Sequence, residues 1–342
     1  MSTDRPRRVN IVDVARHAGV SHQTVSRVIN DSPLVAAATR RKVQAAIEEL
    51  GFRPNRLARA LAGGTAREVT VLTTDTSLYG ASETLSGIED AARAAGHTVS
   101  VSVMNPDQPY ADGDVLARLP HLGSPAIVIA HDATTTRAMR ALRAAQPSTT
   151  VATGGGDLAD ETEAADWLVA LDDRAVAARA TRHLLDLGHA TVHYLAIPSK
   201  APRRLGWEQA LRDAGRPVPP PAACDWSTAS AYHAAIGLLE DPDVTAILCG
   251  NDDLAVGAVR AAHIAGRAVP GDLSVVGFDD CPYAAFQVPA LTTVGLDFRG
   301  LGRGAFELLR SKLDGAPRPR PTWRQPELIV RETSAPPRNR TE

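Results

Sequence analysis

Two patterns of apolar positions follow one another along the chain. In the first 64 residues, apolar side chains recur every three or four residues within short segments, which is the spacing of an amphipathic helix. From residue 68 onward, short apolar runs alternate with amphipathic helical stretches. The change of pattern predicts a small all-α domain followed by a larger α/β region.

The N-terminal pattern indicates a helix-turn-helix. One apolar face runs along each of the segments 11–18 (IVDVARHA) and 21–30 (SHQTVSRVIN), and Gly19-Val20 joins them. Gly19 tolerates the positive φ of a tight turn, and the Ser21 hydroxyl can accept a free backbone N–H as the N-cap of the second helix. Polar residues remain on the outer face of that helix, which is typical of a helix-turn-helix that binds DNA.

A third helix and a shorter segment complete this region. The sequence predicts that Thr39 caps the third helix and that Gly51 ends it, so that residues 1–52 form a three-helix domain. The segment NRLARALAGG follows Pro54 and spans only about two turns, a length that is marginal for an isolated helix in water. We therefore expect residues 53–67 to form a hinge helix and a linker, ordered only against a partner.

The α/β region repeats a strand–helix rhythm. Such a rhythm favours parallel sheets with helices on both faces, and the number of units exceeds that of one ordinary open sheet. The sequence therefore predicts two doubly wound parallel-sheet lobes, whose ligands bind beyond the carboxyl ends of the strands. The predicted strands cover residues 69–74, 98–103, 126–131, 149–154, 166–171, 192–197, 245–250 and 274–279. The predicted helices lie near residues 83–95, 134–145, 173–187, 204–214, 228–240 and 253–265.

The charged residues are segregated along the chain. Residues 1–67 contain 12 Lys and Arg against 5 Asp and Glu, which gives a net charge of +7. The remaining residues contain 25 against 34, which gives −9. A basic head on an acidic body indicates a polyanionic partner at the head.

Cysteine usage and hydropathy exclude several classes of protein. Cys224, Cys249 and Cys281 lie 25 and 32 residues apart without a CxxC motif, so we expect buried reduced thiols and no zinc site. The N-terminus has no apolar segment like that of a signal peptide, and no apolar run approaches about 18 residues. We therefore expect a cytoplasmic protein that does not contact a membrane. The Pro-rich polar residues 333–342 are predicted to be a disordered tail.

No catalytic constellation emerges from the sequence. Asp279 and Asp280 are adjacent carboxylates on a predicted strand, but neighbouring strand residues point to opposite faces and do not form a working acid–base pair. Gly154–Gly156 and residues 300–304 lack the strand–GxGxxG–helix context of a nucleotide site. We expect no cofactor, no metal and no enzymatic activity.

The chain resembles the LacI/GalR family of bacterial repressors. The resemblance extends from residue 9 to about residue 332 and rests on DVARHAGVSHQTVSRVIN, RPNRLARAL, HLLDLGH, Arg203 followed by Gly206-Trp207, GNDDLAVGA, VVGFDD and LTTV. It implies a helix-turn-helix headpiece, a hinge helix and a two-lobed core like that of a periplasmic sugar-binding protein, with three crossings between the lobes. Lobe one would hold residues 68–167 and 298–323, and lobe two residues 168–297 and 324–332. The resemblance also implies a homodimer that binds palindromic operator DNA and a small-molecule effector.

The resemblance assigns DNA contacts to three groups of residues. Arginine can pair with both acceptors of guanine in the major groove, and glutamine with adenine; the alternative is that these polar side chains are simply solvated. Leucine wedges at a minor-groove step kink DNA, whereas the alternative for Leu61 is packing on its own third helix. The base-contacting residues would be His22, Gln23 and Arg27. The backbone-contacting residues would be Asn10, Ser21, Ser26, Asn30 and Thr39. The minor-groove hinge would contain Asn55, Arg56, Ala58 and Leu61.

The resemblance also implies an effector site at the strand ends. Trp226, in CDWS, resembles the tryptophan of family members that bind disaccharides or other glycosides, whereas a core role suits Trp207. The alternative for Asp252, Asp253 and Asp280 is capping of the helices that follow. The effector-binding residues would be Thr74, Arg203, Trp226, Asn251, Asp279 and Phe298.

The leading functional hypothesis is a repressor of a sugar-utilisation operon that a galactoside-like or glucoside-like effector relieves. One alternative is a co-repressed regulator that responds to a purine or a phosphorylated metabolite, and Trp226 argues against it. The other is a sugar-binding protein without a DNA role, against which the basic head counts.

Overall fold

The computed structural model divides the chain into two compact units, Met1–Arg67 and Glu68–Glu342. The predicted DNA-contacting residues Asn10, Asn30, Asn55, Arg56, Ala58 and Leu61 lie outside the described part of the chain. The structure describes residues 11–29, 34–50, 68–108, 110–118, 124–145, 148–152, 168–198 and 202–338.

The first unit contains the predicted helix-turn-helix and a third helix. At the turn, Gly19 has a φ of 64°, and the Ser21 hydroxyl accepts the Thr24 N–H at 3.1 Å, as its predicted N-cap role requires. The predicted cap at Thr39 is wrong, because the helix begins two residues earlier in a run of alanines and includes Thr39 in its first turn. The helices are α1 Ile11–Ala18, α2 His22–Ile29 and α3 Ala37–Glu49. Their buried core consists of Val14, Ala15, Val25, Val28, Val43 and Ala46.

The second unit alternates strands with helices, and all eight predicted strands and all six predicted helices are present. The strands are β1 Glu68–Thr73, β2 Thr98–Val103, β3 Ala126–Ala130, β4 Ser148–Ala152, β5 Leu168–Ala170, β6 His193–Ala196, β7 Ala222–Ala223, β8 Ala246–Cys249, β9 Ser274–Asp279, β10 Thr292–Gly295 and β11 Glu327–Ile329. The helices are α4 Tyr79–Ala94, α5 Asp112–Leu116, α6 Ala133–Ala145, α7 Asp173–Asp186, α8 Pro202–Asp213, α9 Thr228–Leu239, α10 Asp252–Ile264 and α11 Phe298–Leu313.

The strands form two sheets, one in each lobe. Sheet one has the order β2-β1-β3-β4-β5, and all of its pairs are parallel. Sheet two has the order β11-β10-β9-β8-β6-β7 and is parallel except for the antiparallel β10–β11 pair. The predicted doubly wound parallel-sheet lobes are therefore present.

The chain passes between the lobes at three places in the described residues. The first passage corrects the predicted boundary at residue 167: β5 pairs with β4, so lobe one continues through Ala170, and α7 then starts lobe two. The second lies between β10 and α11. The third follows Trp323, which packs on the core of lobe one, and precedes β11.

Helix α11 was not among the predicted helices, because three glycines weaken its helical pattern. Two glycines explain its close approach to α4. A Cβ atom on Gly302 would lie 2.1 Å from the Thr84 carbonyl oxygen, and one on Gly87 would lie 2.0 Å from the Arg299 carbonyl oxygen. The small residues let the two backbones touch, so these glycines serve packing rather than a loop.

The segment 333–338, which we call the C-terminal strap, corrects the prediction of a disordered tail. Thr333 is fully buried, and its hydroxyl donates to the Val275 carbonyl at 2.7 Å and accepts the Thr292 N–H at 2.8 Å. The Ala335 carbonyl accepts hydrogen bonds from His189 Nε2 and from the Ser274 hydroxyl. Small hydrogen-bonding residues thus fix the strap on lobe two despite its proline-rich composition.

Buried groups of the core agree with the sequence analysis. Trp207 is fully buried, and its indole N–H donates to the Val192 carbonyl at 2.9 Å, which confirms its predicted core role. Cys224, Cys249 and Cys281 are buried free thiols. Within the described ranges, no helix has the length and apolarity to cross a membrane, and no cluster of three metal-ligating side chains occurs.

Candidate functional site

The outer face of α2 carries the predicted base-contacting residues. His22, Gln23 and Arg27 are exposed, whereas Val25 and Val28 on the opposite side are buried. The spacing of i, i+1 and i+5 along a helix keeps the three polar side chains on one side. Ser21 is exposed beside them, while Ser26 and Thr39 are half-buried. The helix therefore exposes hydrogen-bond donors and acceptors on one face, while its other face forms the core of the headpiece.

A cleft lies between the two lobes of the second unit. Five of the six predicted effector-binding residues line it. Its walls come from the carboxyl ends of β3, β6, β8 and β9 and from the first turns of α4, α8 and α11, which is where open α/β sheets bind ligands. The lining residues are Leu78, Tyr79, Gly80, Ala81, Ile129, His131, Ile197, Arg203, Trp226, Asn251, Asp279 and Phe298.

Arg203 is the centre of the polar side of the cleft. This side chain is only 4% exposed. Its Nε–H donates to Asp173 Oδ2 at 2.8 Å, and its Nη1 lies 3.4 Å from Asp279 Oδ1. Nη1 also donates to the Gly250 carbonyl, and the guanidinium carbon lies 4.5 Å from the centre of the Phe278 ring. One guanidinium thus faces two carboxylates and an aromatic ring.

Asp279 presents a carboxylate to the same side of the cleft. It is 8% exposed, and burial raises the pKa of its carboxyl well above the usual range, although the neighbouring Arg203 acts in the opposite direction. A buried carboxyl beside a guanidinium provides hydrogen-bonding oxygens for ligand hydroxyl groups.

Asn251 has two tasks at the cleft. Its side-chain oxygen accepts the Leu254 N–H at 2.8 Å and thereby caps α10. Its amide group retains two donor hydrogens, and the residue lines the cleft. The alternative predicted for Asp252, capping of α10, is wrong because Asn251 takes that role. Asp253 instead accepts the Tyr283 hydroxyl at 2.6 Å.

Aromatic rings form the other side of the cleft. The Phe298 ring meets Tyr79 edge to face at a centroid distance of 6.0 Å. Across the lobes, the His131 ring meets Trp226 edge to face at 6.2 Å. Such faces cover the C–H surfaces of a ligand, while the polar side fixes its orientation.

Thr74 does not line the cleft, contrary to the prediction. Its hydroxyl donates to the Asp132 carboxylate and lies 2.9 Å from His131 Nε2. Thr74 therefore contacts the imidazole of a lining residue rather than the cleft itself. Sequence reasoning missed His131, Tyr79 and Ile197 as lining residues. The signal for His131 and Ile197 was their place at the ends of strands. Burial lowers the pKa of His131, although Asp132 and Asp75 oppose this shift, and the lowered pKa favours a neutral imidazole.

Comparison with known proteins accounts for both units. Residues 10–55 match the family described as "Bacterial regulatory proteins, lacI family", and residues 181–334 match the "Periplasmic binding protein-like domain". The Lactose operon repressor of Escherichia coli (strain K12) is 34% identical over 307 residues, which cover 88% of this chain and 84% of that protein. The HTH-type transcriptional regulator MalR of Streptomyces coelicolor is 32% identical over 340 residues, which cover 95% and 96% of the two chains.

Solved structures give the same result. The lac repressor dimer bound to operator and the anti-inducer ONPF aligns with a TM-score of 0.78 and 30% identity over 96% of this chain and all of that one. The complex of the transcriptional regulator CelR with cellobiose aligns with a TM-score of 0.67 and 26% identity over 96% of this chain and all of that one. These relatives are transcriptional regulators, which agrees with the prediction that the chain is not an enzyme. From its helix-turn-helix, its two-lobed core and its near full-length similarity to the lactose repressor, the chain belongs to the lacI family of bacterial regulatory proteins.

Proposed function

We propose that this regulator is a cytoplasmic homodimer that represses a sugar-utilisation operon and releases its palindromic operator when a neutral glycoside enters the cleft. The observation that carries the proposal is the pairing of a polar side around Arg203 and Asp279 with an aromatic side around Trp226 and Phe298. Hydroxyl groups on one edge of a sugar need the first side, and the C–H face of its ring needs the second.

The charge balance of the cleft favours a neutral effector. Arg203 is the one cation among the described residues that line the cleft, and it already pairs with Asp173. A phosphorylated metabolite would therefore bring a negative charge next to the buried Asp279 carboxyl without an unpaired cation to receive it. A sugar hydroxyl can form a hydrogen bond with that carboxyl at no such cost.

The names of the relatives agree with a glycoside. Among similar proteins are a lactose operon repressor and a regulator solved with cellobiose. Relatives named PurR, at 29% identity, leave a co-repressed regulator as the second candidate function.

Effector control requires that operator DNA and the glycoside prefer different arrangements of the lobes. His131 of lobe one contacts Trp226 of lobe two edge to face, so a ligand that separates the two rings favours a different lobe arrangement. Since a ligand shifts an equilibrium only by its differential affinity for the two states, the arrangement that binds the glycoside has to be the one that holds operator DNA weakly.

A thermal-shift screen of the full chain tests the effector class. Cellobiose, maltose and lactose are compared with glucose 6-phosphate, guanine and hypoxanthine. We expect a sugar to raise the melting temperature through mass action and the phosphorylated and purine compounds to leave it unchanged. A response confined to a purine or to the phosphate ester would instead support the co-repressed regulator.

A further inference from the structure

The effector carboxylate sits in an unusual backbone conformation. Asp279 has a φ of 112° and Asp280 a φ of 53°, and both values fall in the left-handed region that favours glycine. Two consecutive non-glycine residues in this region are costly, and such a conformation persists only where surrounding groups hold it. The residues that hold this turn therefore decide where the Asp279 carboxylate points.

Asp252 holds the turn from the side of α10. Its Oδ2 accepts the Cys281 N–H at 2.7 Å, and its Oδ1 accepts the Thr293 hydroxyl at 2.5 Å. The side chain is fully buried against Gly277, where a Cβ atom would lie 2.2 Å from Asp252 Oδ1. The carboxylate thus connects the residue after the turn to strand β10.

Arg331 holds the turn from the other side. Its Nη2 donates to Asp280 Oδ1 at 2.7 Å, and its Nη1 donates to the Leu291 carbonyl at 2.9 Å. Its own backbone N–H donates to the Thr292 hydroxyl at 2.9 Å. The backbone and the side chain of Arg331 are therefore both fixed to the start of β10, and its guanidinium forms an ion pair with Asp280, the second residue in the left-handed region.

We propose that Asp252 and Arg331 are positioning residues that hold Asp279 and Asp280 in their left-handed conformations and so present the Asp279 carboxylate to Arg203 and to the effector. This proposal rests on the proposed function, because it assigns to these residues the geometry of the effector site. Neither residue lines the cleft. Their effect on effector binding passes through the backbone of the turn.

A matched pair of variants at Asp280 tests the proposal. Asp280→Ala and Asp280→Gly both remove the carboxylate that meets Arg331, but only glycine adopts the left-handed conformation at little cost. We expect Asp280→Ala to weaken glycoside binding about tenfold and Asp280→Gly to stay within about twofold of the parent. Equal losses in the two variants would overturn the proposal, because the carboxylate rather than the backbone would then matter.

Arg331 is tested in two backgrounds. Arg331→Met alone should weaken binding about tenfold, whereas the same change in the Asp280→Gly background should cost less than about twofold. Arg338→Met is the matched control. Arg338 lies in the C-terminal strap and forms an ion pair of 3.2 Å with Asp272, and its substitution should have no effect on binding. An equal effect of Arg331→Met in both backgrounds would contradict the proposed role.

Two readouts separate this proposal from the proposed function. Calorimetry with cellobiose, maltose and o-nitrophenyl-β-galactoside measures binding, and hydrogen exchange of the Cys281 amide in the free protein measures the turn itself. We expect Arg331→Met to accelerate that exchange about tenfold and Arg338→Met to leave it unchanged. If no sugar binds but the exchange result holds, the positioning role stands and the glycoside assignment fails. If the exchange of Cys281 is the same in Arg331→Met as in the parent, the positioning role fails whatever the sugars do.

Discussion

At the scale of single residues, Arg203 combines a buried ion pair with a place in the lining of the cleft. Its guanidinium is buried between Asp173 and Asp279, and the Asp173 carboxylate would lose its counter-charge without it. Removal of one partner of a buried ion pair lowers the free energy of unfolding strongly, because the other partner remains as an uncompensated charge in a low-dielectric interior. The same burial keeps the guanidinium in a fixed orientation at the cleft.

Substitution of Arg203 should therefore destabilise the second unit. We expect Arg203→Met to lower the free energy of unfolding by about 3–5 kcal/mol, measured by chemical denaturation. The neighbouring Arg204 is the control, because its half-exposed guanidinium pairs with Glu208 one turn along α8. Arg204→Met should cost no more than about 0.5 kcal/mol, and similar losses in the two variants would rule out a special role for the buried pair.

Asp252 gives a pH dependence of known sign. Burial raises the pKa of its carboxyl from 3.8 to about 7, although hydrogen bonds from Thr293 and Cys281 oppose the shift. Between these values the folded state binds a proton that the unfolded state has lost, so the stability that this group contributes is complete at low pH and is lost as pH rises through about 7. The amide of Asp252→Asn does not titrate.

The stability difference between Asp252→Asn and the parent should therefore shift in favour of the variant as pH rises from about 4 to about 7. It should stay constant outside that interval. Urea denaturation of both proteins at a series of pH values measures it. Parallel stability curves across the interval would show that Asp252 does not titrate there.

At the scale of helices and strands, periodicity predicted where the strands and helices lie but not which of them contact one another. The eight apolar runs and six amphipathic stretches became strands and helices because their spacing matches the two secondary-structure periods. The composition of the C-terminal strap was misleading, because the Thr333 hydroxyl donates to Val275 and the Ala335 carbonyl accepts from Ser274, and both partners are far away in the sequence. The crossing after β5 was likewise set by pairing with β4, which no local pattern reveals.

The site followed the same rule. Strand ends located Asn251 and Asp279, because a strand that ends in a parallel sheet delivers its next side chain to the ligand edge. The resemblance added Arg203, Trp226 and Phe298, which also line the cleft. Thr74 was predicted to line the cleft, but its hydroxyl contacts the imidazole of His131, which lines the cleft instead. Whether a hydroxyl faces a cleft or a neighbouring imidazole depends on rotamers and packing that the sequence alone does not express.

Helix α2 carries the prediction on base recognition. Arg27→Ala should reduce operator binding by about 1–3 kcal/mol and relax the preference at one base position, because an exposed arginine can pair with both acceptors of a guanine. A binding assay against operators substituted at each position measures this. Arg16→Ala on α1, an exposed arginine outside the recognition helix, should leave the base preference intact. An unchanged preference in Arg27→Ala would contradict the assignment.

At the scale of the whole molecule, the chain joins a DNA-binding unit to a two-lobed unit with the opposite net charge. The net positive charge lies before residue 68, and the acidic excess lies in the two-lobed core. This separation directs the headpiece toward a polyanion and discourages the core from binding it. Control of the operator then requires only that an effector in the cleft alters the population of the DNA-binding state.

Operator affinity measured in the presence of sugar is the most direct test of this account. A palindromic operator obtained by in vitro selection is labelled, and its binding to the full chain is followed by fluorescence anisotropy at fixed salt while cellobiose, maltose or lactose is added. We predict that a sugar weakens operator binding at least about tenfold and that Trp226→Ala shifts the response to much higher sugar concentration. Operator affinity that no sugar changes, or that a purine or a phosphorylated metabolite strengthens, would contradict the account.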